Sequence, residues 1–241
     1  MTAIKAEGLI KKYRDTYAVN GLDLEIEEGE LFSLLGVNGA GKTTTIKMLC
    51  ALTKADGGEA GILGKSVSRE ANEVKKLIAV SPQETAVAPL LSVKENLELI
   101  CGVHGFTKEK TELKIKELSS LVSIDKVLKK KAGKLSGGWQ RRLSIAMALI
   151  SEPKILFLDE PTLGLDVIAR SELWDIIRSL KGKTTIVLTT HYMEEAEALS
   201  DRVGIMKDGK LLITDTAENI KKITGKDSFE EAFINIVRGA L

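Results

Sequence analysis

Apolar and polar residues alternate along the first thirty positions of the chain, as at Leu22, Leu24 and Ile26. The dipeptides Asn20-Gly21 and Glu28-Gly29 interrupt this pattern with residues that favour turns. Alternation of this kind is typical of strands that bury one face and expose the other. We therefore predict short, half-buried antiparallel strands at the start of the chain.

Compact apolar runs replace the alternation from Leu31 onward. The run from Leu31 to Leu35 ends at Gly36, and good helix formers follow from Thr43 to Ala51, which predicts a strand, a glycine loop and a helix. Later apolar or β-branched runs lie at 155–158, 185–189 and 203–206, and helical stretches lie at 169–180 and 193–199. Strands that alternate with helices predict an α/β fold, with a mainly parallel sheet and helices on both of its faces.

The middle of the chain has a different pattern, with few β-branched runs between residues 92 and 150. Its leucines and isoleucines recur at roughly helical spacing, at positions 97, 100, 113, 115, 118 and 121. We interpret residues 84–150 as a helical subdomain inserted into a single domain of 241 residues. The α/β core then comprises residues 1–83, with the antiparallel strands, and residues 151–215. A tail at 216–241 is predicted to form two short helices.

Composition narrows the classes of function. The chain has 35 Lys and Arg against 34 Asp and Glu, which gives a net charge of +1. This balance gives no overall basic surface, so nucleic acid is not predicted as a partner. No apolar run approaches the roughly 20 residues that span a bilayer, and the first residues lack the apolar core of a signal peptide. We therefore expect a cytoplasmic protein. Cys50 and Cys101 show no metal-binding or disulfide pattern, which favours two buried reduced thiols.

Residues 36–43 read Gly-Val-Asn-Gly-Ala-Gly-Lys-Thr and fit the phosphate-loop pattern G-x-x-x-x-G-K-[ST]. Backbone N–H groups at the start of a helix suit an anion, because they lack partners within the helix and the helix dipole adds positive potential. In such a loop Lys42 neutralises the β and γ phosphates of a nucleotide, and the Thr43 hydroxyl binds Mg²⁺. The alternative is a glycine turn that only caps a helix.

A second acidic motif, Asp159-Glu160, ends the apolar run at 155–158. A carboxylate at the end of such a strand lies beside the phosphate loop, where Asp159 can hold the metal through water. Side-chain alternation makes Glu160 a candidate to orient or deprotonate the attacking water. The alternative is a strand-ending turn with two solvated carboxylates. Residues 53–56, Thr-Lys-Ala-Asp, resemble the guanine-binding motif of GTPases but follow the phosphate loop too closely, so we interpret them as a turn that ends a helix.

Leu135-Ser136-Gly137-Gly138 lies between the phosphate loop and the acidic motif. Together, the phosphate loop, this motif and the acidic motif resemble those of the ATPase subunit of ABC transporters. They occur in that family's order, and the resemblance covers nearly the whole chain. This resemblance implies a nucleotide switch that works as a dimer with ATP and Mg²⁺. In the family, residues that match Ser136, Gly137 and Gly138 grip the γ-phosphate of ATP held by the partner subunit. We expect these residues to begin a helix that runs to Ile150, with Ser136 as its cap.

The resemblance assigns roles to five further positions. Tyr13 matches the aromatic residue that stacks on adenine, and Val19 is expected to line the same face. Gln83 matches a glutamine that touches Mg²⁺ and the attacking water, and Asp166 lies in the loop that crosses the dimer interface. His191 matches the switch histidine at the γ-phosphate. The alternatives are a strand-packing tyrosine, a polar loop glutamine and a packing or surface histidine.

These assignments give three sets of predicted site residues. The nucleotide set is Tyr13, Val19, Gly36, Asn38, Gly39, Ala40, Gly41, Lys42, Thr43, Thr44, Gln83, Ser136, Gly137, Gly138, Asp159 and Asp166. The catalytic set is Glu160, His191, Gln83 and Lys42, and the metal set is Thr43, Gln83 and Asp159.

Trp139 departs from the family pattern, because many relatives carry Gln at this position. Its place directly after Gly138 suggests that it lies at the dimer face. An equally good interpretation packs it within the helical subdomain. The phosphate contacts implied by the resemblance use Ser136 and the glycine backbone, so we expect hydrolysis to be unaffected.

The resemblance implies an ATP-binding and ATP-hydrolysing subunit that powers a membrane transporter. The spanning domain is then expected on another polypeptide, a permease subunit that docks beside residues 83–91. A second ATPase subunit completes the dimer, and it can be identical to this chain or different. The protein is accordingly expected to lie peripherally on the inner face of the cell membrane.

Residues 189–197, Thr-Thr-His-Tyr-Met-Glu-Glu-Ala-Glu, and the short tail look most like the ATPases of ABC-2-type exporters, which move drugs, ions or polysaccharides. One alternative is the ATPase of an importer, which shares every catalytic motif. Another is an ABC ATPase that acts on nucleic acid or ribosomes, although this chain lacks a second cassette. A nucleotide-binding module without turnover is disfavoured because both Glu160 and His191 are present.

Overall fold

The computed structural model describes residues 1–239, which form two β-sheets with helices packed on them. The strands are β1 (Thr2–Tyr13), β2 (Thr16–Glu27), β3 (Leu31–Gly36), β4 (Gly57–Ile62), β5 (Lys65–Ser66), β6 (Ile78–Ser81), β7 (Ile155–Asp159), β8 (Thr185–Thr190), β9 (Arg202–Lys207) and β10 (Lys210–Asp215). The α-helices are α1 (Lys42–Leu49), α2 (Ala71–Leu77), α3 (Val93–Val103), α4 (Lys108–Leu121), α5 (Gly137–Leu149), α6 (Val167–Leu180), α7 (Met193–Leu199), α8 (Ala217–Thr224) and α9 (Phe229–Arg238).

The first sheet is antiparallel, with strand order β2-β1-β4-β5. Ala6 of β1 lies opposite Leu24 of β2 and Ala60 of β4, and all three side chains are buried. Alternate residues of β2 from Leu22 onward are buried and exposed, as the sequence pattern predicts. The antiparallel strands are confirmed, but β1 and β2 have 12 residues each and are not short.

The second sheet has the order β10-β9-β3-β8-β7-β6 and is parallel except for β10, which forms a hairpin with β9. Every residue of β3, β7 and β8 is buried. Parallel strands covered on both faces bury both sets of alternating side chains, which explains the continuous apolar runs in the sequence. The predicted α/β fold with a mainly parallel sheet is therefore confirmed.

Side-chain alternation along β3 divides the interior into layers. Leu31 joins a core formed with α3, α4, α5 and α6, whereas Phe32 and Leu34 face α1, α2 and the antiparallel sheet. Leu35 joins a third core with α7, α8 and α9. The parallel sheet thus carries helices on both faces, with the antiparallel sheet completing one of them.

Helices α3, α4 and α5 lie between β6 and β7 in the chain, where the helical insertion is predicted. Ser92 caps α3 in a capping box with Glu95, and Thr107 caps α4 by accepting from the N–H of Lys110. The apolar side chains of this segment share one core with the sheet. We retain 84–150 as the proposed extent of a subdomain that depends on the rest of the fold.

The tail forms α8 and α9, with Gly225 in a left-handed conformation between them. Residues 240 and 241 of the predicted tail lie outside the described residues. Both cysteines are buried free thiols, as predicted. Among residues 1–239, no helix is both long enough and apolar enough to cross a bilayer.

The turn of the β9–β10 hairpin connects the two sheets behind the phosphate loop. The N–H of Asn20 on β2 donates to the carbonyl of Gly209 at 2.8 Å, and the N–H of Gly209 donates to the carbonyl of Ala40 at 3.1 Å. One glycine therefore joins the antiparallel sheet to the loop that precedes α1.

Candidate active site

The phosphate loop connects β3 to α1, and two of its glycines have no room for a side chain. A Cβ atom on Gly41 would lie 2.3 Å from the carbonyl oxygen of Ala18, and Gly41 also has a φ of +105°. A Cβ atom on Gly36 would lie 2.5 Å from the carbonyl oxygen of Met206. Neighbouring backbone therefore requires both glycines, and the loop is held close to β2 and β9.

Lys42 is the first residue of α1, and its ammonium group is buried within the loop. Its Nζ donates to the carbonyl oxygens of Gly36 at 2.7 Å and Val37 at 3.2 Å, and it lies 3.6 Å from Oε1 of Glu160. Burial lowers the pKa of Lys42, while the nearby Glu160 and Asp159 carboxylates oppose that shift. A cation held at this point can serve the phosphates of a nucleotide bound over the loop.

Hydroxyl and carboxylate oxygens meet beside Lys42. Thr43 Oγ1 donates to Oδ1 of Asp159 at 3.1 Å, and Thr189 Oγ1 on β8 donates to the same oxygen at 2.6 Å. Asp159 ends β7, the neighbour of β8 in the sheet, so the parallel register delivers these groups to one edge. Hard oxygen donors of this kind suit Mg²⁺, which takes one or two protein ligands together with waters and phosphate.

Glu160 has a left-handed backbone, with a φ of +46° that is unusual for a residue other than glycine. Its N–H donates to the carbonyl and the hydroxyl of Thr189, at 3.1 and 3.0 Å. Conformations of this kind cost about 1–3 kcal/mol and persist where surrounding structure enforces them. The turn brings the carboxylate 3.6 Å from Nζ of Lys42 and 3.3 Å from Nδ1 of His191.

One cleft of about 500 Å³ lies over the phosphate loop. It is lined by Tyr13, Ala18, Asn38, Gly39, Ala40, Gly41, Lys42, Thr43, Thr44, Gln83, Glu160, Leu163 and His191. Tyr13 is half exposed at the rim, and Gln83 is exposed beside the helical segment. The structure therefore brings together most of the predicted nucleotide residues and all four predicted catalytic residues.

Val19 is an exception, and its predicted place on the nucleotide face is wrong. Its side chain is fully buried in the core beneath the antiparallel sheet and does not line the cleft. Side chains alternate along β2, so the preceding residue, Ala18, faces the cleft instead.

Ser136, Gly137 and Gly138 do not line this cleft either. They begin α5 beside the first turn of α6, where a Cβ atom on Gly138 would lie 3.1 Å from Cβ of Ala169. Ser136 occupies the N-cap position, but its side chain makes no capping hydrogen bond, so the predicted cap is a backbone cap only. Asp166 caps α6 by accepting from the N–H of Ala169 at 2.9 Å and is exposed. Ser136 and Gly137 are also exposed, so these motifs form a second surface apart from the cleft.

A model of the ABC transporter family matches residues 19–163. That segment contains the phosphate loop, the Ser136–Gly138 motif and the Asp159-Glu160 pair. This chain belongs to the ABC transporter family. It is an ATP-binding and ATP-hydrolysing protein of that family, as its family match and its similar proteins show.

Three proteins illustrate the similarity of this ABC ATPase to known relatives. Daunorubicin resistance ATP-binding protein DrrA3 of Streptomyces coeruleorubidus is 40% identical over 95% of this chain and 73% of its own length. Nod factor export ATP-binding protein I of Burkholderia lata is 42% identical over 83% of this chain and 66% of its own. The dimeric structure of the cassette MJ0796 in a post-hydrolysis state with ADP and Pi has a TM-score of 0.79 and 27% identity, over 88% of this chain and 98% of its own.

Arg141 is a site residue of this ABC ATPase that the sequence analysis missed. Its buried guanidinium extends from α5 and donates to the carbonyl oxygens of Pro82 at 2.5 Å, Gln83 at 2.7 Å and Glu160 at 3.4 Å. Burial lowers the pKa of Arg141, and the nearby carboxylates Asp159, Glu195 and Glu160 oppose that shift. One side chain thus fixes the backbone of two predicted catalytic residues. In the sequence, only the position of Arg141 on the inward-facing side of α5 could have indicated this role.

Trp139 of the ABC ATPase lies half-buried against the core of the helical segment. The guanidinium of Arg142 stacks over its ring at 5.0 Å and pairs with Glu172 of α6. These contacts support the interpretation that Trp139 packs within the chain.

Replacing Arg141 with Lys should lower kcat by about tenfold to a hundredfold, because misplacing catalytic groups by about 1 Å has effects of this size. An ammonium group lacks the planar fork that spans two carbonyl oxygens. The KM for ATP should stay within about threefold of the parent, since Lys42 and its loop are untouched. Steady-state hydrolysis of MgATP by the purified chain measures both.

Arg178→Lys is the matched control, because Arg178 is an exposed residue of α6 that pairs with Asp175. An Arg141→Lys protein with the parent's kcat would contradict the role assigned to this residue.

Proposed function

We propose that this ABC ATPase powers export through a separate membrane subunit, and that two ATPase subunits close around ATP. The observation that carries this proposal is the division of its motifs between two surfaces. Lys42, Glu160 and His191 line one cleft, whereas Ser136–Gly138 lie on an exposed helix tip outside it. A second subunit can bring its own tip to this cleft and so complete the site.

Thr43, Asp159 and Gln83 are the residues proposed to hold Mg²⁺. The first two already share a hydrogen bond, and Gln83 lines the same cleft. When bound, Mg²⁺ neutralises developing charge on the β and γ phosphates. Thr189 keeps the Asp159 carboxylate oriented toward this point through its 2.6 Å hydrogen bond.

Glu160 is proposed to orient and deprotonate the attacking water. Its strained backbone aims the carboxylate between Lys42 and His191, so the base lies beside the cation that serves the phosphate. His191 is proposed to contact the γ-phosphate, because it stands at the end of β8 and lines the cleft. Tyr13, half exposed at the rim, is proposed to stack on adenine.

The names of two relatives refer to drug resistance and to Nod factor export, and both support export as the direction of transport. The membrane subunit is proposed to dock on the surface of residues 83–91, next to Gln83. Leu90 in this surface is 79% exposed. Docking there would hold the ATPase at the inner face of the membrane and connect the partner directly to Gln83.

Replacing Glu160 with Gln should reduce kcat by about 10²- to 10⁴-fold, the usual contribution of a general base. The amide keeps the size of the side chain but cannot accept the proton of water. The affinity for MgATP should stay within about threefold, since phosphate binding uses the loop and Lys42. A phosphate-release assay and nucleotide binding measure the two effects. Hydrolysis at the parent's rate would overturn the catalytic assignment.

Pairing between copies of this chain can be tested by complementation. Lys42→Ala and Ser136→Arg should each abolish hydrolysis alone, because each damages every site of a symmetric pair. Co-expressed with different tags and purified as mixed dimers, they should recover hydrolysis, since one of the two sites then carries both changes and the other carries none.

The matched control for this experiment pairs Lys42→Ala with Glu160→Gln. Both changes lie in the same half of the site, so every site of a mixed dimer keeps one defect and no hydrolysis should return. Recovery in this control, or no recovery with Ser136→Arg, would contradict the proposed pairing of identical chains.

The docking surface is tested with Leu90→Glu in a tagged chain purified from detergent-solubilised membranes of its native host. The parent should co-purify with a multi-span membrane protein. In Leu90→Glu, the charge placed in the docking interface should prevent co-purification, while ATP hydrolysis by the free chain stays unchanged. Leu113→Glu is the control, because Leu113 is 71% exposed on α4, outside residues 83–91. Equal recovery of the membrane protein with both variants would place docking elsewhere.

A further inference from the structure

A buried acid lies behind the proposed phosphate-contacting histidine and has no role in the site described above. Glu195 of α7 has no exposed surface, and its Oε1 accepts from the indole Nε1–H of Trp174 at 3.0 Å. Its second oxygen, Oε2, is buried without a hydrogen-bond partner among residues 1–239. Burying a carboxylate oxygen without a hydrogen bond costs folding free energy, so the presence of this unpaired atom needs an explanation.

A second unpartnered atom lies on a neighbouring element. Oγ1 of Thr162 is buried and also lacks a hydrogen-bond partner within the described part of the chain. The Thr162 hydroxyl nevertheless lies close enough to Glu195 to affect its ionisation, as do the hydroxyl of Thr190 and the indole of Trp174. A protonated Glu195 has an O–H that can donate to Thr162, which would satisfy both unpartnered atoms through a small side-chain movement.

Burial favours that protonated form, because it raises the pKa of Glu195 above its ordinary value. The nearby hydroxyls of Thr190 and Thr162, the indole N–H of Trp174 and the charge of Arg170 oppose the rise. Arg141 on α5 is a second cation within electrostatic reach of Glu195.

The groups around Glu195 belong to three segments that lead into the site. Thr162 follows Glu160 by two residues and opens the loop toward Asp166, and Trp174 lies on α6 directly after that loop. Thr190 is the last residue of β8 and precedes His191, with its hydroxyl accepting from the N–H of Tyr192 at 3.0 Å. Glu195 therefore stands where these three segments meet.

We propose that Glu195 is a positioning residue for hydrolysis, whose carboxyl group joins Thr162 and Trp174 to the strand end that carries His191. It holds the histidine and the loop before α6 in one arrangement relative to Glu160. It touches neither the cleft nor any reacting atom. The inference rests on the role proposed for His191.

Two variants separate the hydrogen-bonding function of Glu195 from its charge. Glu195→Gln keeps an acceptor for Trp174 and provides an N–H donor for Thr162, so kcat should stay within about twofold of the parent. Glu195→Ala removes both, and kcat should fall by at least about tenfold while the KM for ATP changes by less than about threefold. Glu197→Ala is the control on the same helix, where Glu197 pairs with Lys221 at the surface, and it should leave kcat unchanged.

A second measurement reports the position of His191 without hydrolysis. The chain has only two histidines, so a His104→Gln background leaves His191 as the single imidazole signal in a proton NMR spectrum. Its Cε1–H chemical shift should be the same in the parent and in Glu195→Gln. This shift should change in Glu195→Ala, because the segment before His191 loses its support.

Two outcomes would overturn the proposal. One is a Glu195→Ala protein with the parent's kcat and the parent's His191 signal. The other is a Glu195→Gln protein as damaged as Glu195→Ala, since that would require an ionised carboxylate. If Glu195→Ala does not fold, Thr162→Val and Trp174→Phe each remove one partner and keep the acid. Both should lower kcat and shift the His191 signal, and parental values in both would equally overturn the proposal.

His191→Ala distinguishes this inference from the proposed function. If His191→Ala hydrolyses ATP at the parent's rate, the role of His191 fails and the inference fails with it. If His191→Ala is inactive while Glu195→Ala is fully active with an unchanged His191 signal in its own background, only the positioning role of Glu195 fails.

Discussion

The arrangement of the site depends on one buried guanidinium. Arg141 donates to the carbonyl oxygens of Pro82, Gln83 and Glu160, and so connects α5 to the ends of β6 and β7. Without a donor at this point, three backbone carbonyls would each lose a hydrogen bond, and the left-handed turn at Glu160 would lose one of its restraints. The phosphate loop, by contrast, is fixed by close backbone packing at Gly36 and Gly41. The site therefore combines a rigid phosphate-binding loop with two proposed catalytic residues, Gln83 and Glu160, whose positions depend on a helix from another part of the chain.

Most of the α/β core could be predicted from the sequence, because it is encoded locally. Strands β3, β7, β8 and β9 lie within one residue of their predicted bounds, since fully buried parallel strands leave continuous apolar runs. The helices at 169–180 and 193–199 were predicted well for a similar reason, although α6 begins earlier, at Val167, because Asp166 caps it. The phosphate loop is equally local, because its function and its geometry both lie within eight residues.

The rest depended on contacts between distant segments. The family resemblance assigned Val19 to the same face as Tyr13, but strand alternation turns its side chain inward and presents Ala18. Strands β4, β5 and β10 carry no strong apolar run, because each pairs near an edge of its sheet. Arg141 and Glu195 are ordinary charged residues of helices in the sequence. Only the folded chain shows that each is buried and which groups surround it.

Helix α5 contributes to both surfaces, because it carries the exposed tip and a side chain that contacts two residues of the catalytic cleft. Its N-terminal tip carries Ser136, proposed to meet nucleotide on a second subunit, and Arg141 lies about 7.5 Å further along the same helix axis. Arg141 holds Gln83 and Glu160 of its own subunit. If a change in the nucleotide of the second subunit displaced this tip, Arg141 would move with it, and so would the backbone of Gln83 and Glu160. In a closed pair, each α5 would then connect the nucleotide bound by the other subunit to Gln83 and Glu160 of its own subunit.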